Sequence, residues 1–488
     1  MPSRLPNGLS PTTPCNSNAA KFHIFLLDKI FSNLDYEPLR GQILLVNALV
    51  AFTQNRTPRD VFVLNGYAGT GKTSIMGAYV KALRQESKNV VVLAPTGRAA
   101  KVASQFAGST ASTIHRRIFH PDSNSPGSHY FLSPNFEKNT IFIADEASLI
   151  TDNPYSGESL LQNLIRYVYS GENCNLILVG DTAQLPPVGQ SNSPAMNMER
   201  LRSMGLNPFH FTLDVPVRQK RKSGILALAD HIRKEGEALK ETQAGVPKPP
   251  ILRIRGMEDV AVVSSGDLID CLSDSWNEVG IEETLIITRS NKRANGFNQA
   301  IRNQIMFAEE PLERGDRLVM SKNDYYWSKR NKLPQFLANG ETAIVDWVGK
   351  TEKKYGRYFS EVELTIPSDG SKLTAIVHLR SLVSEGPSIP EEEMRLFYNR
   401  ILAQQEGDSL SANIKATSAD PWYNSLQAKY GYCVTCHKAQ GGQWRHVYID
   451  LSGIDTSALT SDFYRWFYTA LTRATEKVYL INPTLELR

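Results

Sequence analysis

"VFVLNGYAGTGKTSIMGAYVKAL", residues 61–83, is the stretch whose reading decides the fold. Val61–Leu64 is a short β-branched and apolar run, which predicts a buried strand. Gly66, Gly69 and Gly71 then break the run, and from Ser74 the apolar spacing becomes helical. Strand, glycine-rich loop and helix in this order let backbone N–H groups converge on phosphate oxygens at the positive end of a helix. The loop residues expected to cradle a nucleotide are Gly66, Gly69, Thr70, Gly71, Lys72, Thr73 and Ser74. In such a cradle Lys72 neutralises the β- and γ-phosphates and the Thr73 hydroxyl binds Mg²⁺.

Two further apolar runs end in polar side chains that suit the same chemistry. In "TIFIADEASLI" the run Ile141–Ala144 predicts a strand tipped by Asp145 and Glu146. Asp145 is the expected Mg²⁺ ligand, directly or through water, and Glu146 the group that orients or deprotonates the attacking water. In "NLILVGDTAQLPPVG" the strand ends at Gly180-Asp181, with Gln184 three residues on. Parallel sheets present ligands at the carboxyl ends of their strands. There Gln184 would bond both the γ-phosphate and the water. Taken together, these residues predict a P-loop NTPase using ATP and Mg²⁺.

Length and composition set the frame. A chain of 488 residues exceeds one hydrophobic core, so several domains are expected. Hydrophobic residues at 41% and charged residues at 21% describe an ordinary globular composition. Lys and Arg number 54 against 50 Asp and Glu, a +4 balance that allows a local nucleic-acid patch without requiring one. No apolar run reaches the length of a membrane span, so no membrane partner is expected. The opening "MPSRLPNGLSPTTPCNSNAA" lacks an apolar signal core and predicts a disordered leader. Five scattered cysteines suit a reducing compartment, and the cytoplasm is the expected location.

"CVTCHKAQGGQW", residues 433–444, fits the C-x-x-C-H pattern of covalent haem attachment. No export signal accompanies it, and no second ligand pair with zinc spacing exists, so neither haem nor zinc is expected. Its neighbours explain it better. "APTGRAAKV" (94–102), "ASTIHRRI" (111–118), "PVRQ" (216–219), "CHKAQGGQW" (436–444) and "FYTALTRA" (467–474) accompany the three nucleotide motifs in a fixed order. The set resembles superfamily 1 helicases, in the 5′-to-3′ branch that includes RecD-like and phage Dda-like enzymes. The likeness runs from Gln42 to Arg473. "CHKAQGGQW" takes the place of that family's motif V, with Ala439 where a serine is usual.

The resemblance implies roles that spacing alone does not. Arg218 and Arg473 would be fingers reaching across a cleft to the γ-phosphate. Gln42 would read adenine through its amide. Thr96, Arg98, His115, His437, Lys438 and Gln440 would contact the nucleic-acid backbone, which positions a strand without reading sequence. A short insert would carry a wedge, with His129, Tyr130 and Phe131 as aromatic candidates for either stacking or simple packing.

The fold expected is α/β, with two RecA-like P-loop domains, a small wedge insert and an SH3-like β-barrel insertion. The boundaries expected are 1–38 for a partly disordered leader and 39–210 for the first RecA-like domain, with the wedge at 118–138. The second RecA-like domain would occupy 211–330 and 429–488, around the SH3-like insertion at 331–428. No segment after the last motif suits a nuclease. The leading function is an ATP-dependent DNA helicase moving 5′ to 3′ on single-stranded DNA and opening DNA forks. It would act as a monomer in DNA repair or recombination, with accessory or nuclease proteins as further partners. Two alternatives remain open at this stage: an RNA helicase of the same superfamily, and an ATP-switched DNA-binding subunit of a recombination or nuclease complex.

Overall fold

The computed structural model describes residues 17–121, 130–152, 159–215, 217, 223–241, 249–333, 336–367, 369–407, 409–456 and 459–488. In the first lobe the strands are β1 (Asp60–Gly66), β2 (Asn89–Ala94), β3 (Ser112–Thr113), β4 (Phe119–Pro121), β5 (Tyr130–Leu132), β6 (Thr140–Ala144), β7 (Asn175–Gly180) and β8 (Asn207–Leu213). β4 and β5 pair as a separate antiparallel hairpin. The other six form a parallel sheet in the order β3-β2-β6-β7-β1-β8. Parallel strands covered on both faces need apolar residues at every position. β1 meets this rule: Phe62 and Leu64 enter one core with Leu45, Leu49, Ile75 and Tyr79, while Val61 and Val63 enter the other with Leu161, Leu164 and Leu178.

The second lobe opens with β9 (Val260–Val263) and β10 (Thr284–Thr288). The chain then leaves for an antiparallel sheet: β11 (Arg317–Met320), β12 (Thr342–Lys354), β13 (Arg357–Thr365), β14 (Lys372–His378) and β15 (Ala428–Tyr430), ordered β14-β13-β12-β11-β15. Tyr355 and Gly356, at φ 48° and 75°, make the two-residue turn between β12 and β13, where positive φ matches the strand twist. The sheet curls back on itself, for Leu426 exchanges backbone hydrogen bonds with Ile376 and His378 of β14. The chain returns as β16 (Cys433–Thr435), β17 (Trp444–Asp450) and β18 (Ala474–Ile481), completing a parallel sheet ordered β16-β10-β17-β18-β9. The two parallel α/β lobes are the RecA-like pair expected.

Three details differ from the expected organisation. The antiparallel sheet starts at Arg317 rather than at 331 and ends on β15, which crosses the expected 428/429 boundary. An apolar run such as Arg317–Met320 reads as a strand in any sheet, and only its distant partners Thr342–Ile344 and Ala428–Tyr430 decide which. β8 runs to Leu213, past 210. Within the expected leader, Ser17–Ser32 is a helix that buries Leu26 and Ile30 in the first lobe. The wedge candidate His129 and the arginine Arg218 lie outside the described residues; Phe131, on the β4–β5 hairpin, is about half exposed, its ring 6.1 Å from that of His120.

Candidate nucleotide cleft and nucleic-acid interface

β1 delivers the phosphate loop to the start of the helix Lys72–Gln85. Gly69 and Gly71 turn it at φ 76° and 87°, a region side chains avoid. A Cβ on Gly71 would also lie 2.5 Å from Gln42 Nε2. That contact identifies what Gln42 does locally. It is buried, its Nε2 donates to the Thr70 carbonyl at 2.8 Å, and its Oε1 accepts the Leu39 N–H at 3.0 Å. Gln42 therefore braces the loop from behind. The Thr70 hydroxyl donates to the Tyr67 carbonyl at 2.8 Å. Lys72 curls over the loop, donating to the carbonyls of Gly66 and Tyr67. Thr73 and Ser74 are exposed on the first helical turn.

The carboxyl ends of β6 and β7 supply the acids. The Asp145 N–H bonds the Leu93 carbonyl at 2.9 Å, which holds the end of β6 against β2. Burial, reinforced by the neighbouring Glu146 carboxylate, pushes the Asp145 carboxyl up to about 7, against the pull of Lys72. Glu146 itself sits at φ 50°, a conformation that costs a non-glycine residue energy. Asp181 is 1% exposed, and Gln184, at 5%, has a buried Oε1 with no hydrogen-bond partner among the described residues. Gln184 faces a cavity of about 420 Å³ lined also by Thr182, Arg233, Glu237, Arg465 and Tyr468.

The second lobe closes on these groups. The Arg233 guanidinium lies 4.0 Å from the Tyr67 ring centroid, and Tyr67 donates to Glu237 at 3.2 Å. The Tyr468 hydroxyl donates to Asp181 Oδ2 at 2.7 Å and accepts the Ala68 N–H at 2.8 Å. Leu185 is held at both ends: its N–H donates to Thr469 Oγ1 and its carbonyl accepts from Gln440 Nε2, each at 2.8 Å. Arg473, 3% exposed, is spent within its own lobe on Thr469, Gly442 and the Thr472 hydroxyl.

Residues expected to touch nucleic acid divide into two groups. Thr96 caps the helix Gly97–Ala107 by accepting the Ala99 N–H at 3.2 Å. Arg98 lies 3.8 Å from the Trp444 ring centroid and donates to the Gln443 carbonyl at 3.2 Å. Burial, then the charge of Arg317, brings its guanidinium down to about 9. Gly441 and Gly442 make this fit possible, since a Cβ on either would meet Ala99 or Arg98. Arg98 and Gln440 thus join lobe to lobe. His115 is half-buried, its pKa lowered by that burial, and His437 is exposed. The Lys438 ammonium is buried without a hydrogen-bond partner among the described residues, and burial together with the Lys429 charge lowers it to about 8. Cys433 and Cys436 are buried, and burial raises both thiols, Cys436 to about 12. No helix among the described residues is long and apolar enough to cross a membrane.

Sequence reasoning missed Tyr468, Thr469 and Trp444. All three lie inside the motifs 467–474 and 436–444, but Tyr468 and Thr469 sit on a helix, Ser461–Leu471, that is apolar on nearly every side, and nothing local gave them a role.

A phosphate loop, acids at adjacent strand ends and a second RecA-like lobe closing over both define a two-lobed P-loop motor. The AAA domain model matches residues 46–245 and the UvrD-like helicase C-terminal domain model matches 430–481. The chain thus carries an AAA domain and a UvrD-like helicase C-terminal domain. It is 34% identical over 126 residues to the ATP-dependent RecD2 DNA helicase of Deinococcus radiodurans, covering 26% of this chain and 16% of that protein. It is 22% identical over 263 residues to the ATP-dependent DNA helicase dda of Enterobacteria phage T4, covering 53% and 56%. The chain thus spans less than two thirds of either relative. Among solved structures, the Pif1 helicase from Bacteroides in complex with ADP-AlF3 and ssDNA is 16% identical, with 92% of this chain and 93% of that one covered and a TM-score of 0.46.

Proposed function

We propose that this chain is an ATP- and Mg²⁺-dependent DNA helicase that moves 5′ to 3′ along single-stranded DNA and opens forks. One observation carries the reading. The loop Cys436–Trp444 packs on the first-lobe residues Thr96–Ala99 on one side and bonds Leu185, beside the cleft acids, on the other. A strand held by His437, Lys438, Thr96 and His115 is therefore mechanically continuous with the nucleotide site. The Lys438 ammonium, without a hydrogen-bond partner among the described residues, suits a phosphate.

When ATP enters, Lys72 exchanges its loop carbonyls for the β- and γ-phosphates. Thr73 and Asp145 would hold Mg²⁺, whose charge would favour the carboxylate form of Asp145 that burial disfavours. Such an ion supplies charge neutralisation at the phosphates. Glu146 takes the proton of the attacking water, and Gln184 turns its free Oε1 toward that water. Arg473 would serve as a finger by giving up its bonds to Thr469, Gly442 and Thr472, and Arg218 is a second candidate by its motif alone. Loss of the γ-phosphate releases these contacts, and the two lobes part, moving their grips on the strand.

A fork-unwinding assay with the purified chain tests this. Forks with a 5′ single-stranded tail should open with ATP, and forks with only a 3′ tail should not. Opening restricted to 3′-tailed forks, or to RNA forks, would overturn the proposal.

A further inference from the structure

Tyr468 sits at the centre of the cleft, yet its chemistry is not needed to bind phosphate or activate water. Its side chain is 2% exposed on the helix Ser461–Leu471 of the second lobe. The hydroxyl uses its one proton on Asp181 Oδ2, at 2.7 Å, and a lone pair on the Ala68 N–H, at 2.8 Å. Both partners belong to the first lobe, and one stands in the phosphate loop. Asp181 is almost fully buried, and its other oxygen accepts the Ala183 N–H at 2.9 Å. A hydrogen bond to a buried carboxylate is charge-assisted and shorter and stronger than a neutral one. A single oxygen atom thus ties three segments: the loop before Lys72, the end of β7, and the helix that leads to Arg473.

The neighbouring bonds give the tie a direction. Thr469, next in the chain, accepts the Leu185 N–H, and Gln440 donates to the Leu185 carbonyl. Gln440 is two residues from Lys438 and three from His437, on the loop assigned to the strand. A shift of that loop therefore pulls on Leu185, and Asp181–Leu185 cannot move without moving Asp181 against Tyr468. Buried, hydrogen-bonded contacts of this kind have discrete arrangements and pass a displacement on.

We infer that Tyr468 is a positioning residue that transmits strand binding at the loop 436–444 to the phosphate loop, through its paired bonds to Asp181 and Ala68. The inference rests on the helicase reading above. It distinguishes Tyr468 from an aromatic that merely fills the core: phenylalanine fills the same space but makes neither bond.

The experiment compares ATP turnover with and without a single-stranded DNA oligonucleotide in the full chain, in Tyr468→Phe, in Asp181→Asn and in the double variant. The quantity read is the stimulation factor, the ratio of the two rates. Tyr468→Phe should lower that factor about tenfold or more, the equivalent of one charge-assisted hydrogen bond. The double variant should be no worse than Tyr468→Phe alone, because Asp181→Asn weakens a bond that Tyr468→Phe has already removed. A purely structural residue would lower the melting temperature and reduce both rates in proportion, leaving the factor alone. A folded Tyr468→Phe with the wild-type factor overturns the inference. So does a double variant whose losses multiply. Should Tyr468→Phe fail to fold, Asp181→Asn strips the charge from the same bond and should still lower the factor several-fold, and a wild-type factor there overturns the inference. A wild-type chain that the oligonucleotide does not stimulate is a different result: it overturns the helicase reading itself, and this inference with it.

Discussion

Gly442→Ala probes the seam between the lobes with a single methyl group. Built on the existing backbone, the new Cβ lies 2.6 Å from Arg98 Nε and 2.6 Å from the far ring carbon of Trp444. Neither distance is tolerable, so the guanidinium must leave the ring over which it now sits at 3.8 Å. Its hydrogen bond to the Gln443 carbonyl, at 3.2 Å, goes with it. A desolvated cation–π contact contributes about 2 kcal/mol and a neutral hydrogen bond about 1 kcal/mol. Rehydration of the freed guanidinium returns part of this, leaving a loss of about 1–3 kcal/mol, or about 5–150-fold in the balance between closed and open lobes. Dyes placed at exposed sites on each lobe would report the change as lower energy transfer, and the concentration of ATP needed for half-maximal turnover should rise. Energy transfer identical to wild type, without and with an ATP analogue, would refute the reasoning that Arg98 is an inter-lobe contact.

Other consequences follow from the same contacts. Lys72→Ala should abolish ATP turnover while leaving circular dichroism and melting unchanged, and near-normal turnover would sink the site assignment. Arg302→Met strands Asp316, a carboxylate with no exposure that now accepts both guanidinium bonds, at 2.9 and 3.0 Å, and the Tyr432 hydroxyl. An uncompensated buried charge costs about 3–5 kcal/mol; urea unfolding should register it, and a loss below about 1 kcal/mol would contradict the role given to this pair. His378 has no exposure and packs against Phe359, and burial, then the charge of Arg357, lowers its pKa from 6.5 to about 4. The unfolded chain therefore takes up a proton below pH 6.5 while the folded chain refuses it until about pH 4. Stability is full above that window and falls across it by about 3 kcal/mol. His378→Phe should remove that part of the slope in urea titrations at several pH values, and an unchanged slope would argue against it.

What the sequence made legible was local chemistry. Val61–Leu83 announces its strand, turn and helix because continuous apolar runs, positive-φ glycines and helical spacing are properties of neighbours in the chain. Asp145, Glu146, Asp181 and Gln184 were readable for the same reason: each follows the apolar run that carries it to the sheet edge. What stayed hidden depends on partners far away. Arg317–Met320 joins the antiparallel sheet because of residues 342–344 and 428–430. Arg98 looks like a strand contact until Trp444, more than three hundred residues on, is seen beneath it. Tyr468 looks like core because it is core, and only its hydroxyl is not. Gln440 offers a carbonyl-and-amide group that suits a backbone phosphate equally well, and the nearby Leu185 carbonyl takes it instead. The helix Ser17–Ser32 was obscured by the Pro- and Asn-rich residues before it, which end where its apolar face begins.

The central claim is that the nucleotide cleft and the strand-binding loop form one mechanical unit, and the rate of ATP hydrolysis reads it directly. Turnover by the purified chain, measured over a titration with a single-stranded DNA oligonucleotide, should rise steeply to a plateau and should vanish in Lys72→Ala. A rate indifferent to the oligonucleotide at every concentration would contradict the account.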